Sequence, residues 1–483
     1  MTGEKTMHFA SNVPGAAPNG RLVVCSPYDG GEVGSVDTLG VEGVERALAE
    51  ASAVFASRDG WLSAGQRAAV LDRFAELIAR DAERLIGIAI AEGGKPRRDT
   101  EAELARALDG VINCRECLRS ESGREIPMRL NDASAHRMAF TLREPIGPVV
   151  AVSAFNHPLN LIVHQIGPAV ASGCPVIVKP AEKTPLSAFA LVELLIEAGL
   201  PASWCQVLMT DALATAEALV TDARVAFFSF IGSARVGWTL RSKLAPGVRC
   251  ALEHGGAAPV VVAADADLDA MTPLLVRGGF YHAGQVCVSV QRVFAERAIA
   301  RELAERLARA AEALTVGDPA DAATEVGPLI RPEEVGRVGA WVDEAVAGGG
   351  ACLAGGERVS AHCYRPTVLF EPSDASRVSR EEIFGPVICV YPYDTLHEAV
   401  ARANALPYAF QAAVMTTRID TALYALEGLR AAAVMVNDHT AFRVDWMPFA
   451  GLDQSGHGTG GIPYTFRDMQ IEKLCVFHSP ALR

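Results

Sequence analysis

Between residues 147 and 233 the chain alternates short, predominantly apolar runs with longer amphipathic segments. The apolar runs are 148–154, 175–178, 204–209 and 225–230, and the helical patterns between them are 159–171, 185–198 and 212–220. A run that is apolar at nearly every position is typical of a strand buried on both faces, and strand–helix alternation predicts a parallel sheet covered by helices. Ligands bind such sheets at the carboxyl ends of the strands. This feature therefore predicts both an α/β fold and the edge at which its binding residues lie.

Segments on both sides of this alternation extend the fold. Apolar residues recur at helical spacing in 41–57, 63–91 and 96–118, which predicts three long helices before the sheet. A second α/β segment begins near residue 251 and extends to 434, and it includes a helix-like run at 268–281. A chain of 483 residues is long enough for about two to four domains. The sequence therefore predicts an α/β protein of several domains.

Charge and cysteine content narrow the possible partners. The formal net charge of −13 argues against a nucleic acid or an anionic membrane surface as the partner. Eleven cysteines, an odd number without regular spacing, indicate reduced thiols and a cytoplasmic protein. Cys114 and Cys117 form a CxxC within a helical pattern, so we interpret them as half-buried helical residues and predict no metal site. Residues 1–20 have no signal-peptide pattern, and no apolar run is long enough to span a membrane.

Polar residues follow three of the predicted strands. Asn156 could donate its amide N–H to a developing oxyanion, or it could form an Asx-turn before a proline. Lys179 and Glu182 suit the hydroxyls of a ribose, although the same spacing occurs in solvated loops. Gly232 and Ser233 open a helix and would turn backbone N–H groups toward a phosphate, a weak signal by itself.

Two further residues could carry covalent chemistry. Glu253 ends an apolar strand beside two glycines, as a general base would require. Cys287 lies between a helix-like and a strand-like run and is either an activated nucleophile or a buried structural thiol. The GxGxxG match at 456–461 follows no buried strand, and we interpret it as a flexible loop.

The order and spacing of these motifs resemble the NAD(P)-dependent aldehyde dehydrogenase superfamily over nearly the whole chain. The matching motifs are Asn156, Lys179-Pro180, Gly232-Ser233, Glu253 with Gly255-Gly256, Gly284-Gln285-Val286-Cys287, Glu382-Ile383-Phe384-Gly385-Pro386 and Pro448-Phe449. The resemblance implies an aldehyde dehydrogenase-like fold with two Rossmann-type α/β domains and a small β hairpin for oligomerisation. The resemblance implies three parts. Residues 1–120 and 140–251 would form an NAD-binding domain, against which residues 437–464 would pack. Residues 252–436 would form a catalytic domain, and residues 121–139 and 465–483 an oligomerisation segment. Because family members are usually dimers or tetramers, we expect a homodimer or homotetramer.

The resemblance also implies roles for the catalytic residues. Cys287 would attack the aldehyde, and Asn156 with the backbone N–H of Cys287 would hold the oxyanion. Loss of hydride to the nicotinamide would leave a thioester, and Glu253 would activate the water that releases the acid. The implied cofactor contacts are Ala154, Phe155, Lys179, Glu182, Gly232, Ser233, Val236, Gly255, Glu382 and Phe384. A carboxylate at Glu182 would repel a 2′-phosphate, which favours NAD over NADP.

The substrate expectation comes from the same resemblance. Asn156-His157-Pro158-Leu159-Asn160 and Phe442-Arg443 are similar to the branch that handles lactaldehyde and phosphonoacetaldehyde. The expected pocket residues are Arg106, His157, Val286, Ser289, Arg443 and Phe449, and Arg106 could equally be an exposed helical arginine. We expect a small polar aldehyde, anionic or hydroxylated. Val286 stands where phosphonoacetaldehyde-type enzymes carry an arginine, which counts against a doubly charged phosphonate.

Three residues differ from the usual family motifs, and three other functions are compatible with the sequence. The three residues that differ are Ile231, His254 and Ala450. His254 could change either the pKa of Glu253 or the position in which the nicotinamide binds. The alternative functions are a semialdehyde dehydrogenase for a dicarboxylate chain, a coenzyme A-acylating dehydrogenase and a catalytically silent binding protein. The presence of Glu253 favours hydrolysis over transfer to coenzyme A.

Overall fold

The computed structural model describes residues 7–120 and 122–482. The polar start at residues 1–6 and the domain limits expected at 1, 121 and 483 lie outside the described residues. The strands are β1 Met7–Phe9, β2 Gly20–Cys25, β3 Glu32–Leu39, β4 Glu125–Ile126, β5 Arg137–Pro145, β6 Val149–Val152, β7 Val176–Lys179, β8 Cys205–Val207, β9 Met209–Thr210, β10 Phe227–Ile231, β11 Arg249–Glu253, β12 Ala258–Val262, β13 Val290–Glu296, β14 Ala351–Ala354, β15 Thr367–Phe370, β16 Val387–Tyr393, β17 Tyr408–Ala409, β18 Gln411–Met415, β19 Ala433–Val436, β20 Leu452–Asp453, β21 Gly456–His457 and β22 Gln470–His478. The α-helices are α1 Val41–Ala56, α2 Ala64–Arg80, α3 Ala82–Gly93, α4 Arg97–Ser120, α5 Asn160–Ser172, α6 Leu186–Glu197, α7 Leu213–Thr221, α8 Ala234–Arg241, α9 Leu268–Phe280, α10 Arg297–Glu312, α11 Pro332–Ala347, α12 Arg377–Arg380, α13 Leu396–Ala403, α14 Ile419–Gly428 and α15 Ile462–Asp468.

The first large sheet has the strand order β21-β11-β10-β6-β7-β8. The five strands from β11 to β8 are parallel, and β21 joins β11 antiparallel. Successive residues of β6 face opposite sides, since Val149 packs in the core with α5 and α6 whereas Val150 packs with α1 and α7. Both faces are therefore buried, which explains why the central strands are apolar at nearly every position.

The second large sheet has the order β14-β15-β16-β13-β12-β18-β19 and its own core against α9, α10 and α11. Its strands from β15 to β19 are parallel, and β14 is antiparallel at one edge. A three-stranded sheet, β22-β5-β4, lies apart from both. In it β22 pairs antiparallel with β5 along its whole length, from Gln470 opposite Pro145 to His478 opposite Arg137.

Several details differ from the sequence predictions. The helix predicted at 63–91 is two helices, because Asp81 leaves helical geometry with φ −97° and ψ 16°. The expected domain boundary at 251/252 falls inside β11, which pairs with β10 from Arg249 to Glu253. The 456–461 segment is not a plain loop, since it contains β21. Cys114 and Cys117 are buried rather than half-buried. Each helix in the described ranges is too short or too polar to cross a membrane.

Candidate active site

One cavity of about 1090 Å³ collects nearly all the residues singled out in the sequence. It is reached by the carboxyl ends of β6, β7, β10 and β11 and by the segments that follow α9 and β19. The predicted residues that line it are Arg106, Ala154, Phe155, Asn156, His157, Lys179, Glu182, Gly232, Ser233, Val236, Glu253, Gly255, Val286, Cys287, Glu382, Phe384, Arg443 and Phe449. Polar residues separated by more than 300 positions thus line one cavity.

The turn between α9 and β13 carries Cys287 into this cavity. His282 and Ala283 adopt positive φ angles of 48° and 53°, which reverses the chain directly after the helix. The pKa of the Cys287 thiol is raised to about 12, mainly by burial; the positive charge of Arg443 opposes this shift, and the carboxylates of Glu382 and Glu253 add to it. The thiolate is the nucleophilic form, so activation of Cys287 depends on positive charge beside it.

Asn156 lies against the nucleophile turn. It follows β6, is buried, and donates from Nδ2 to the backbone oxygen of Gln285 at 2.9 Å. An amide nitrogen has two N–H donors, so the second stays available beside Cys287. This geometry is compatible with an oxyanion donor.

Glu253 ends β11 and lines the cavity. Burial raises the pKa of its carboxyl group, and the charge of Arg443 opposes that shift. A carboxylate with a raised pKa is a stronger base than an exposed one, as activation of a water molecule requires.

The residues predicted to contact the nicotinamide side of the cofactor, Glu382, Gly255 and Phe384, line the same cavity. Burial raises the pKa of Glu382 to about 7, and this carboxylate accepts a hydrogen bond from the backbone N–H of Gly256 at 3.2 Å. It lies so close to Gly255 that a Cβ there would be 1.7 Å from Oε1, so any larger residue would displace this carboxylate. The Phe384 ring contacts the edge of Phe155, with 5.9 Å between ring centres.

The ribose and diphosphate candidates lie farther along the same cavity. The buried Lys179 donates from Nζ to Glu182 at 2.6 Å, and this pairing outweighs the opposing effect of burial and lowers the pKa of Glu182. Gly232 and Ser233 directly precede α8, whose N-terminal N–H groups suit an anionic oxygen. A lysine–carboxylate pair beside an open helix terminus matches the hydroxyls and phosphates of a nucleotide.

The opposite end of the cavity carries the substrate candidates. The guanidinium carbon of Arg443 lies 3.5 Å from the centre of the Phe449 ring, and within the described ranges Arg443 forms no ion pair. Arg106 is different, because its guanidinium binds both oxygens of Asp445, at 2.7 and 3.1 Å. His157 is buried and stacks on Tyr281, and burial lowers its pKa well below the ordinary value, so its ring is neutral.

A family model for the aldehyde dehydrogenase family matches residues 15–474. The chain belongs to the aldehyde dehydrogenase family. It is therefore an oxidoreductase that oxidises aldehydes with a nicotinamide dinucleotide as the hydride acceptor, as the motifs predicted.

Individual members of the family cover nearly the whole of this aldehyde dehydrogenase. The 3-sulfolactaldehyde dehydrogenase of Priestia megaterium is 36% identical over 459 residues, which are 95% of either chain. Aspartate-semialdehyde dehydrogenase 1 of Pseudomonas canavaninivorans is 35% identical over 454 residues, 94% of this chain and 96% of its own. The crystal structure of aldehyde dehydrogenase 21 from Physcomitrella patens, in complex with the reaction product succinate, superposes with a TM-score of 0.94 at 31% identity and covers 99% of this chain and 100% of its own. The predicted aldehyde dehydrogenase fold is thereby confirmed.

One expected pocket residue of this aldehyde dehydrogenase lies elsewhere. The hydroxyl of Ser289 donates to the carbonyls of Gly278 and Gly279 at 3.3 and 3.2 Å, and Ser289 does not line the cavity. The side chain of Ser289 satisfies the last carbonyls of α9 and is turned away from the substrate end. The prediction that Ser289 contacts the substrate is therefore wrong.

His254 also lies differently from either expectation for it. Its Nδ1 contacts the carbonyl oxygen of Gly232 at 2.9 Å, and its ring packs against Trp238 and over Gly237 of α8. Strand alternation turns it away from the side that Glu253 faces. His254 therefore packs against α8 and against Gly232, which precedes that helix.

Sequence reasoning missed two buried residues of the site, His164 and Asp445. Both are at most 3% exposed and contact each other at 2.7 Å. One available signal was the pair Asn160 and His164, since two polar residues four positions apart share one face of a mostly apolar helix.

Proposed function

We propose that this protein oxidises a small anionic aldehyde to its carboxylic acid with NAD. The observation that carries the proposal is Arg443, a guanidinium that lines the cavity with Cys287 and has no ion-pair partner among the residues described. Its Nε is buried without a hydrogen-bond partner. A charge removed from water without a partner is costly, so such a group indicates that a substrate anion completes it.

The chain's own groups support the proposed chemistry in a simple order. The Cys287 thiolate attacks the aldehyde carbon, and the N–H groups of Asn156 and Cys287 stabilise the oxygen that becomes negative. Bound NAD would supply the acceptor for the hydride, which leaves an acyl group on the Cys287 sulfur. Glu253 takes a proton from water, and the hydroxide displaces the sulfur to release the acid. Hydrolysis rather than transfer to coenzyme A follows from having this base in the cavity.

The charges around the substrate end favour a single negative charge on the substrate. Asp445 compensates Arg106, and burial keeps His157 neutral, so neither adds a second free positive charge. Arg277 also lines the cavity but is exposed, and water and salt screen it. Arg443 is then the principal contact for the anion, and His157 contributes a hydrogen bond rather than a charge.

The named relatives are consistent with this class of substrate. One is a 3-sulfolactaldehyde dehydrogenase, another an aspartate-semialdehyde dehydrogenase, and the solved structure holds succinate. Each of these compounds carries an anionic group a few bonds from the aldehyde or acid carbon. A sulfonate or carboxylate aldehyde is therefore the substrate class proposed.

The proposal also includes NAD as the cofactor and a homodimer or homotetramer as the assembly. The ionised Glu182 supports NAD, because a 2′-phosphate beside it would be repelled. We further propose the division into NAD-binding, catalytic and oligomerisation parts given above. The boundary expected at 251/252 is moved to the end of β11. A cytoplasmic homodimer or homotetramer completes the proposal.

The test compares a charged and a neutral aldehyde of similar size, succinate semialdehyde and pentanal, in wild type and in Arg443→Met. The measure is the ratio of their kcat/KM values, because any general effect on Cys287 cancels in it. We expect the wild type to favour the anionic aldehyde and the substitution to lower the ratio roughly thirtyfold or more. Arg277→Met, at an exposed arginine of the same cavity, is the matched control and should preserve the ratio. An unchanged ratio in Arg443→Met would show that the substrate is not recognised by its charge.

A further inference from the structure

A buried network connects α5 to the loop that carries Arg443. Oδ1 of Asp445 accepts from Asn160 Nδ2 at 3.1 Å and contacts His164 Nε2 at 2.7 Å. Arg106 donates to both oxygens of the same carboxylate. On its other side, His164 Nδ1 lies 3.4 Å from Arg443 Nη2. His164 therefore joins a carboxylate to the one guanidinium of this network that Asp445 does not bind.

The contacts fix which ring nitrogen of His164 carries the proton. Burial opposes ionisation of Asp445, but His164 and Arg106 outweigh it and hold the pKa of this carboxyl well below its usual range. An ionised carboxylate only accepts hydrogen bonds, so Nε2 must donate. Burial lowers the pKa of His164 to about 4, so the ring is neutral and Nδ1 keeps its lone pair. That lone pair faces an N–H group of Arg443.

Arg443 is held on two sides. Its flat face lies on the Phe449 ring, and Nη2 meets His164. Within the described chain its Nη1 has no hydrogen-bond partner. A guanidinium held by a ring face and one directed acceptor cannot rotate freely, so its unused donors keep one orientation in the cavity.

The neutral imidazole of His164 is well suited to orient the Arg443 guanidinium. A carboxylate bonded directly to Arg443 would orient it but would also cancel most of the charge offered to a substrate. An imidazole lone pair orients the guanidinium and leaves its charge intact. Asp445 fixes the ring, and its own charge is balanced by Arg106.

We propose that His164 is a positioning residue for substrate recognition: its Nδ1 lone pair, fixed by Asp445, orients Arg443 toward the anionic group of the aldehyde beside Cys287. The inference rests on the proposed function, since it assumes that Arg443 binds the anion. His164 itself does not touch the substrate in this account.

The first test measures KM and kcat for succinate semialdehyde and pentanal in His164→Leu, which removes both ring nitrogens, and in His164→Gln, whose amide keeps a donor and an acceptor. We expect His164→Leu to raise KM for the anionic aldehyde about tenfold, the effect of one lost hydrogen bond to a charged group. The KM for pentanal and both kcat values should change little, and His164→Gln should recover most of the loss. Asn160→Ala is the matched control, because it removes a different donor from Asp445 and should leave the anionic-to-neutral ratio unchanged.

The outcomes separate this inference from the proposed function. If Arg443→Met lowers the anionic-to-neutral ratio and His164→Leu does not, the positioning role is wrong and the proposed function stands. If Arg443→Met also leaves the ratio unchanged, the proposed function is wrong. An equal loss for both aldehydes in His164→Leu would indicate a structural role only and would overturn the inference.

A second test needs no activity and remains available if His164→Leu does not fold. The enzyme is labelled with ring-¹⁵N histidine, and the His164 signals are identified by their loss in His164→Gln. At neutral pH, magic-angle-spinning NMR should show Nε2 protonated and Nδ1 unprotonated. A proton on Nδ1 would point at the guanidinium instead of accepting from it, and would overturn the inference.

Discussion

Arg443 acts on two chemical groups of the same cavity. Its charge lowers the pKa of Cys287, which burial raises to about 12, and it opposes the effect of burial on the pKa of Glu253. In the proposed function the same guanidinium holds the anion of the substrate. One residue would then couple substrate binding to the activation of the nucleophile.

This coupling predicts a shift in the pH dependence of the thiol. Below its pKa the thiolate fraction rises about tenfold per pH unit, so the rate of alkylation by iodoacetamide should increase with pH through the neutral and alkaline range. Arg443→Met removes a charge that lowers this pKa, so the rising limb should move to higher pH. The measurement is the alkylation rate of Cys287 against pH, followed by mass spectrometry, in the absence of substrate.

The control for this experiment is Arg277→Met, because Arg277 is exposed and does not contribute to the shift of the Cys287 pKa. Its profile should coincide with that of the wild type. A profile in Arg443→Met that stays in place, or moves to lower pH, would contradict the electrostatic role of Arg443.

At the scale of secondary structure, the first large sheet could be predicted well and for a clear reason. Its strands are buried on both faces, so β6, β7 and β10 are apolar at nearly every position. The candidate site residues at their carboxyl ends then had to converge, because parallel strands end at one edge. That convergence explains why Asn156 and Lys179 line one cavity.

Features that depend on contacts between distant segments could not be predicted. The contact of His164 with Asp445 joins positions 281 residues apart. Hydrophobic spacing continues through Asp81, so the break between α2 and α3 leaves no periodic signal. Ser289 stands two positions from the nucleophile in sequence, yet local backbone direction turns it toward α9. Sequence spacing predicts which edge a residue reaches, whereas side-chain direction depends on the tertiary packing.

The packing of α8 on β11 leads to a prediction about the cofactor segment. A Cβ on Gly237 would lie 2.0 Å from Cε1 of His254, so Gly237→Ala must displace the ring or the helix. We expect a loss of about 1–3 kcal/mol in the free energy of unfolding, typical of overpacking. NAD affinity should fall as well, because Gly232 and Ser233 immediately precede this helix. Urea unfolding and NAD titration, both followed by tryptophan fluorescence, provide the measurements.

The double variant Gly237→Ala with His254→Ala tests the proposed cause. Removal of the ring makes room for the added methyl group, so the double variant should recover much of both losses relative to Gly237→Ala. Equal defects in the single and double variants would mean that the contact between His254 and Gly237 does not control the position of α8.

At the scale of the whole molecule, net charge and local charge have opposite signs. The chain carries −13 overall, whereas Arg443, which lines the cavity, forms no ion pair within the described part of the chain. At physiological salt the screening length is about 8 Å, so distant surface carboxylates act weakly on a bound anion. Recognition of an anionic aldehyde is therefore compatible with an acidic protein.

The three-stranded sheet leads to a prediction about the state of assembly. β22 lies at the edge of this sheet, and Leu474, Val476 and Phe477 on it are 56%, 50% and 53% exposed. An edge strand with several exposed apolar side chains is a site for pairing with another chain. Because β22 lies in the segment expected to mediate oligomerisation, we expect a second copy of this protein to be the partner. We expect light scattering on the wild type to give two or four times the 51.1 kDa of one chain.

Replacement of Val476 and Phe477 by aspartate should convert this assembly to single chains, because each contact would bury charges of one sign next to their symmetry copies. Val41→Asp is the matched control, since Val41 is 64% exposed at the start of α1, away from the three-stranded sheet. Circular dichroism establishes that the variants are folded before their masses are compared. A double variant that is folded and keeps the wild-type mass would exclude β22 as the interface, whereas a mass loss in Val41→Asp as well would show that dissociation does not depend on β22. Cys287 lies outside the three-stranded sheet, so alkylation of its thiol in the single-chain form would further show whether the cavity keeps its electrostatics without the partner.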